Sequence, residues 1–143
     1  AVGESADLPA FWKILTEVLH DRHHVSPVHS LEEMQLLQSR FPEHIRLYAA
    51  YDADGRMLAG TLMYEMNHLV HAQYIASSPG GKEMGAVDAL YAWLIGERYA
   101  GKQYLDFGIS TVQGGRVLNE GLVRQKEGFG ARAVMYDSYS INL

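Results

Sequence analysis

The spacing of apolar residues predicts two helices in the first third of the chain. Over residues 8–22 they recur every three or four positions, as on one face of a helix. A second helix is predicted over residues 31–41. Ser30 and Glu33 have the spacing of a capping box at its start, and Pro42 ends it. Residues 1–7 carry no period and are predicted to be a loose lead-in.

Strand signals then replace the helical spacing. Alternation predicts a strand over residues 45–51, residues 57–66 are the strand that returns from it, and residues 69–77, rich in β-branched and aromatic residues, are a third. Residues 52–55 read Asp-Ala-Asp-Gly, a composition typical of a hairpin turn. The three strands are therefore expected to form an antiparallel meander.

A crossover unit follows the third strand. Ser78-Pro79-Gly80-Gly81 breaks the alternation, and residues 87–95 return to helical spacing. Residues 102–107 then predict another strand, which a crossover helix places parallel to the third. The glycine turn lies at a helix N-terminus, where free N–H groups and the positive dipole end suit an anion such as phosphate.

The remaining segment predicts a short helix after Gly114 and Gly115, ended by Gly128 and Gly130, and a closing strand over residues 131–143. The predicted order is ααβββαβαβ, an α+β fold with a mixed sheet. Without internal repeat or linker, residues 1–143 are expected to form a single domain.

Composition narrows the classes of function. The 143 residues have 48% hydrophobic and 20% charged content, typical of a globular domain. The chain has no cysteine, which excludes disulfides and thiolate metal sites and agrees with a reducing cytoplasm. A net charge of −5 without a run of basic residues argues against broad nucleic-acid binding. No apolar run reaches the length of a membrane span, so no membrane partner is expected.

Two motifs resemble a known superfamily. Residues 104–108 read Tyr-Leu-Asp-Phe-Gly, and residues 121–130 read Gly-Leu, then Lys126, then Phe-Gly. Together with the element order they are similar to the GNAT N-acyltransferases, most closely the bacterial FemAB-like branch. The resemblance implies an enzyme that moves an acyl group from acetyl-CoA to a primary amine of a small metabolite or cell-wall precursor, by direct attack.

The chain also departs from the family pattern. Residues 82–87 align with the acyl-CoA signature but keep only its first glycine, Gly85. Arg124 stands where many members have a tyrosine that acts as general acid. The first family strand is not predicted before Leu8, nor is a strand after Leu143. Two alternatives therefore stay open: an aminoacyl-tRNA donor, as in the FemAB enzymes, and a non-catalytic binding module. In the second alternative, the chain is expected to serve as one half of a larger protein or of a homodimer.

The resemblance assigns donor-binding residues around the glycine turn. Gly80, Gly81, Lys82 and Gly85 are expected to cradle the phosphates of the donor. Three residues at the end of the central strand are expected to hold the donor arm through backbone groups, and Asn119 of the short helix is expected to face that arm. The three are Ala76, Ser77 and Ser78.

Polar residues on the central strand are candidates for catalysis and for binding of the acceptor amine. His71 and Gln73 share a predicted face with Leu69 and Ile75. A satisfied core network explains them equally, but the ordinary pKa of histidine also suits a general base. Asp106 has the same two interpretations. Gln73, Asp106 and Ser110 are assigned to the acceptor.

The loop between the first two helices and the closing strand supply the remaining candidates. Arg22 suits an acceptor carboxylate or phosphate, and His29 is a second candidate base. No histidine spacing here matches a metal signature, so no metal is expected. Tyr136 is the candidate acid that replaces the missing family tyrosine, and an interface tyrosine is its alternative.

Overall fold

The computed structural model describes residues 1–137 and 139–141, except for the side chains of Arg22 and His23. Contacts divide the chain into two compact units, Ala1–Gly108 and Ile109–Leu143. The first unit contains five strands, four helices and a π-helical turn. Its strands are β1 (Val2–Ser5), β2 (Ile45–Tyr51), β3 (Met57–Glu65), β4 (Leu69–Ser77) and β5 (Tyr104–Asp106). Its helices are α1 (Leu8–His23), α2 (Leu31–Arg40), α3 (Pro79–Glu83) and α4 (Ala86–Trp93), with the π-helical turn at Leu94–Arg98.

The five strands form one sheet in the order β1-β2-β3-β4-β5. The first four strands pair antiparallel with one another, whereas β5 pairs parallel with β4. The predicted meander and crossover unit are therefore confirmed, and so is the mixed sheet with packed helices. Among the described residues, no helix is both long and apolar enough to cross a bilayer.

The first strand was not predicted. Val2 pairs with Ala50 and Ser5 with Leu47, so the lead-in is an antiparallel edge strand. The prediction that the first family strand is missing is therefore wrong. Four residues are too few to show a period of two, and the neighbouring strand supplies the hydrogen bonds that the local sequence does not announce.

The sheet has two faces, each covered by helix. On the α1 face, Leu47 and Leu62 pack in one cluster with Phe11 and Trp12 of α1. Gly60 permits this close approach, since a Cβ atom there would lie 2.6 Å from the Phe11 ring. Helix α4 contacts the other face, which we call the α4 face.

The crossover helix is interrupted. Ser78 caps α3 by accepting a hydrogen bond from the Gly81 N–H at 3.1 Å. Gly85 then adopts φ +64°, a left-handed conformation that breaks the chain before α4. The helix predicted over residues 87–95 is thus α4 followed by the π-helical turn, and most of the predicted glycine turn before it is the short helix α3.

Strand β4 contains a bulge. Tyr74 pairs with Leu62 but Ala72 pairs with Met63, so Gln73 is one residue more than β3 can oppose. The bulge reverses which residues face each helix layer beyond it. No periodic pattern could predict this change.

The second unit contains a two-stranded sheet, β6 (Thr111–Val112) with β7 (Val117–Leu118), and helix α5 (Glu120–Gly128). The predicted short helix is confirmed, but its start lies after β7. The predicted closing strand is wrong for residues 131–137 and 139–141, which form no strand, and its other residues, 138, 142 and 143, lie outside the described residues. Alternation alone does not make a strand, because a strand also needs a neighbouring edge to pair with.

Candidate functional site

Strand β4 loses its β5 neighbour partway along its length. The parallel pairing begins at Leu69 with Tyr104 and ends at His71 with Asp106. On the opposite edge, β4 stays paired with β3 as far as Ser77. In the described part of the chain, the β5-side edge of β4 beyond His71 therefore has no strand partner. Unpaired backbone N–H and C=O groups along such an edge can bind an extended ligand.

His71 and Asp106 meet where that pairing ends. His71 Nδ1 lies 2.7 Å from Asp106 Oδ2, and the side chains are 27% and 45% exposed. The Gly108 N–H donates to Asp106 Oδ1 at 2.8 Å, which orients the carboxylate. A carboxylate that accepts from Nδ1–H fixes the tautomer in which Nε2 carries a lone pair. The arrangement can therefore take a proton at His71 Nε2.

The bulge decides which residues share the face of His71. His71 pairs with Tyr64, which packs with the α1 cluster, and their rings are 6.3 Å apart. Ile75 pairs instead with Thr61, whose hydroxyl bonds Tyr91 of α4 at 2.9 Å. The prediction that His71 and Ile75 share a face is therefore wrong, because the bulge lies between them. Gln73 lies at the bulge itself.

A second hydrogen-bonded histidine lies on the same α1 face. His29 Nδ1, from the α1–α2 loop, is 2.8 Å from the Tyr74 hydroxyl. The Tyr74 ring also packs edge-on against Trp12, with centroids 5.4 Å apart. Burial, with a smaller contribution from the nearby Tyr74, raises the pKa of Tyr64. Sequence reasoning selected His29 but missed Tyr74, because unbroken alternation assigns it to the opposite face.

The rest of the α1–α2 loop adds no second cluster. Ser30 caps α2 through Glu33 N–H, as the capping box predicted. The Arg22 side chain, a candidate for binding the acceptor, lies outside the described residues. Among the described residues, no group of three or more metal-ligating side chains lies close enough to hold a metal ion.

Part of the predicted phosphate cradle is used within α3. The Gly81 N–H is bonded to Ser78 Oγ, and the Lys82 N–H to Ser78 O at 3.0 Å. A Cβ atom at Gly81 would overlap Leu58 O and lie 2.6 Å from Ser77 Oγ, so packing alone requires glycine there. Gly80 is exposed and has open space around it.

The start of α4 retains donors for an anion. Gly85 precedes it in the left-handed conformation, and no side chain caps the helix. The first N–H groups of an α-helix have no intrahelical acceptor, so this end offers backbone donors and a positive dipole. The Asp88 carboxylate in the first turn carries opposing charge but is exposed. The N-terminus of α4 therefore fits a phosphate group better than the N-terminus of α3 does.

Ala76, Ser77 and Ser78 end β4 with their side chains directed into the fold. Ala76 and Ser77 are buried, and Ser78 Oγ donates to Leu58 O at 3.0 Å. Both serine hydroxyls thus bond Leu58 O of β3, and Ala76 packs in the cluster with α1, which leaves backbone groups as the means of binding a ligand.

Three candidates lie in the second unit. Ser110 Oγ accepts from Lys126 Nζ at 2.9 Å, and its carbonyl accepts from the Asn119 N–H at 2.8 Å. Asn119 is the cap of α5, accepting from the Leu122 N–H at 3.1 Å. Tyr136 is 91% exposed.

A different titratable cluster occupies the α4 face, and sequence reasoning missed it. Glu65 is 8% exposed, and its Oε1 accepts from the hydroxyls of Tyr48 and Tyr99 at 2.7 Å each. Arg98 Nη2 lies 3.3 Å from Oε2. Burial first, and the hydrogen bond to Glu65 second, raise the pKa of Tyr48 to about 12 and raise that of Tyr99 further. The four residues come from β2, β3 and the end of the π-helical turn, so no local pattern reveals them.

Comparison with known proteins identifies the family of this architecture. A family model described as "Acetyltransferase (GNAT) domain" matches residues 1–114. A comparison with curated protein sequences finds no match.

Solved structures give the same architecture. A possible acetyltransferase from Clostridium difficile 630 aligns with a TM-score of 0.72 at 10% identity, covering 100% of this chain and 97% of that one. An acetyltransferase from Trypanosoma brucei aligns at 0.63 and 15% identity, covering 100% and 99%. A ribosomal-protein-alanine N-acetyltransferase from Brucella melitensis biovar Abortus 2308 aligns at 0.59 and 17% identity, also covering 100% and 99%. At these identities the likeness establishes the fold.

Proposed function

The chain belongs to the GNAT acetyltransferase domain family, and from that premise we propose that it moves an acetyl group from acetyl-CoA to a primary amine of a small metabolite or cell-wall precursor. The family membership makes the chain a transferase of the acetyltransferase type. The donor, the acceptor and the residue roles are the proposal.

One observation carries this proposal: the His71–Asp106 pair lies where β4 separates from β5. The 2.7 Å bond between them supports His71 as a general base, since Asp106 holds the ring with Nε2 available. Both side chains are partly exposed, so an amine can reach them. A purely structural pair in the core has no need of that exposure.

In the proposed reaction the amine attacks the thioester carbon directly. His71 takes a proton from the acceptor nitrogen, and the Asp106 carboxylate stabilises the imidazolium that results. Backbone N–H groups beside the Gln73 bulge are candidates to stabilise the developing oxyanion. Acetyl-CoA supplies the activated acyl group.

The donor-binding assignments follow the same strand. Backbone groups of Ala76, Ser77 and Ser78 would hold the donor arm along the free edge of β4. Gly85 and the N-terminus of α4 would hold its phosphates, with Gly80 and the exposed Lys82 adjoining. Asn119, Ser110, Gln73 and Arg22 stay predicted contacts of the donor arm or the acceptor.

A FemAB-like aminoacyltransferase is the second candidate, favoured by the contacts of its two motifs. In the first, Asp106 accepts from the Gly108 N–H at 2.8 Å. In the second, Lys126 Nζ donates to Ile109 O at 2.6 Å. The first contact closes the turn of its own motif, and the second joins the lysine of the other motif to a residue 17 positions earlier. For an aminoacyltransferase, aminoacyl-tRNA replaces acetyl-CoA as the donor. The remaining alternative, a non-catalytic binding module, uses neither donor.

The donor is tested by thermal shift with acetyl-CoA, CoA and desulfo-CoA, followed by thiol release with a panel of primary amines. We expect saturable stabilisation by acetyl-CoA and CoA, since ligands that bind only the folded state raise its melting temperature. Absence of a shift up to millimolar acetyl-CoA would contradict the proposal. Aminoacyl transfer from charged tRNA would then be assayed directly.

A cytoplasmic location and a homodimer stay predictions. Sedimentation of the purified chain tests the second of them.

A further inference from the structure

Acyl transfer from a thioester releases a sulfur that must be protonated. Sequence reasoning gave this role to Tyr136, which is 91% exposed. Another tyrosine lies on β4 in a hydrogen-bonded environment suited to the same task. It is Tyr74, the residue immediately after the bulge residue Gln73.

Tyr74 is held from two sides but stays partly exposed. Trp12 packs edge-on against its ring, and His29 Nδ1 lies 2.8 Å from its hydroxyl oxygen. If His29 Nδ1 donates this bond, the hydroxyl hydrogen of Tyr74 points elsewhere, and the N–H stabilises the oxygen when that hydrogen leaves. These are the requirements of a general acid.

Its position relative to His71 is also suitable. Their partners on β3, Leu62 and Tyr64, are two residues apart, so Tyr74 and His71 stand about 7 Å apart along one face. The proposed sites then follow one direction along the chain. The N–H groups proposed to bind the phosphates lie at the start of α4, and the backbone groups proposed to bind the donor arm lie at the end of β4. Tyr74 comes next and the base His71 last.

We propose that Tyr74 is the general acid that protonates the departing sulfur, and that His29 positions and reprotonates it. The inference rests on the proposed acetyl transfer. It assigns the acid to β4 in place of Tyr136.

The acceptor nitrogen forms a bond to the thioester carbon, and His71 takes the proton that the nitrogen loses. As the carbon–sulfur bond breaks, Tyr74 gives its hydroxyl proton to the sulfur, which leaves as a thiol. As solvent protonates His29 Nε2, His29 Nδ1 returns its proton to the Tyr74 oxygen, so the imidazole stays neutral, while His71 releases its proton to solvent.

Leaving-group dependence tests this role. Tyr74→Phe is compared with Tyr51→Phe, which removes a hydroxyl bonded to Ser5 Oγ at 2.6 Å on the far edge of the sheet. We expect Tyr74→Phe to lower kcat about 100-fold with acetyl-CoA. With the acetyl thioester of 4-nitrothiophenol, whose thiolate leaves unprotonated, we expect little loss. Tyr51→Phe should resemble the wild type with both donors.

An equal loss with both donors, or no loss with either, would overturn the acid role. Wild-type transfer is a separate readout: a wild type that transfers from neither donor overturns the proposed function, and the acid role with it. If Tyr74→Phe does not fold, His29→Ala is used, for which a smaller loss with the same dependence on leaving group is expected. Equal losses there would count against the proposal.

A measurement without donor checks the contact itself. The imidazole resonances of His29, followed by NMR in the free protein, should shift in Tyr74→Phe and stay unchanged in Tyr51→Phe. Unchanged His29 resonances in Tyr74→Phe would show that the bond does not exist in solution and would overturn the role of His29.

Discussion

The two faces of the sheet both carry hydrogen-bonded titratable groups, but they differ in exposure. On the α4 face, Glu65, Tyr48 and Tyr99 are 8%, 0% and 4% exposed. On the α1 face, the side chains of His71 and Asp106 are 27% and 45% exposed. The Glu65 cluster is buried and makes several hydrogen bonds, whereas the His71–Asp106 pair is accessible to solvent.

The difference separates a stabilising network from a reactive pair. A buried carboxylate must be fully hydrogen-bonded, and Glu65 is held by two phenols and Arg98. His71 has its Nδ1 fixed, while the described residues supply no hydrogen bond to Nε2. We therefore expect changes on the α4 face to affect stability, and changes on the α1 face to affect turnover.

The largest expected effect is on stability. Glu65→Gln removes the charge that Arg98 and the two phenols surround, and we expect it to lower the free energy of unfolding by about 3 kcal/mol. Urea denaturation measures this loss. Activity below the melting temperature of the variant should stay close to that of the wild type.

Glu4→Gln is the matched control for that change. Glu4 pairs with Arg46 at 2.7 Å, and its side chain is 52% exposed. An exposed ion pair contributes less than about 1 kcal/mol. Equal losses in Glu4→Gln and Glu65→Gln would contradict the distinction between sealed and exposed groups.

Alkaline pH should weaken the α4 face next. The folded state raises the pKa of Tyr48 to about 12, from the ordinary value of 10.0. Between these two values the unfolded chain loses a proton that the folded chain keeps, so stability is present below pH 10 and falls as pH rises towards 12. The contribution of Tyr48 is about 3 kcal/mol. An unfolding free energy that stays constant from pH 9 to pH 11 would show that the folded state does not raise the pKa of Tyr48.

The smallest expected effect is on the α1 face. Asp106→Asn keeps an acceptor for the Gly108 N–H but removes the charge beside His71, so we expect kcat to fall about tenfold. Asp52→Asn is the control, because Asp52 also accepts backbone N–H groups of its own turn. A wild-type kcat in Asp106→Asn would leave Asp106 with a structural role only.

The sequence predicted what is local in this fold. The Ser30 capping box and the turn at 52–55 are settled by a few neighbouring residues, and both are confirmed. His71 was selected because polar residues on a central strand are costly without partners, and Asp106 of the following predicted strand was given the same two interpretations. Their mutual bond is a consequence of parallel pairing, which the crossover pattern implied only in outline.

What the sequence missed depends on distant partners. Glu65 is bonded to residues 17 and 34 positions away, a relation that no periodicity records. The bulge at Gln73 adds one residue without changing composition, and it moved Tyr74 to the α1 face. Strand β1 exists because β2 offers an edge, whereas residues 131–137 alternate and pair with no described strand.

The central claim is that His71 is the base of acetyl transfer and not a structural histidine. The most direct test measures kcat/KM and the melting temperature of His71→Gln beside His44→Gln. His44 makes a bond of similar length, from Nδ1 to Glu65 O at 2.8 Å, away from the β4–β5 separation. We predict that His71→Gln loses about 100-fold in kcat/KM with an unchanged melting temperature, and that His44→Gln keeps its activity. Full activity in His71→Gln, or equal losses in both variants, would contradict the claim.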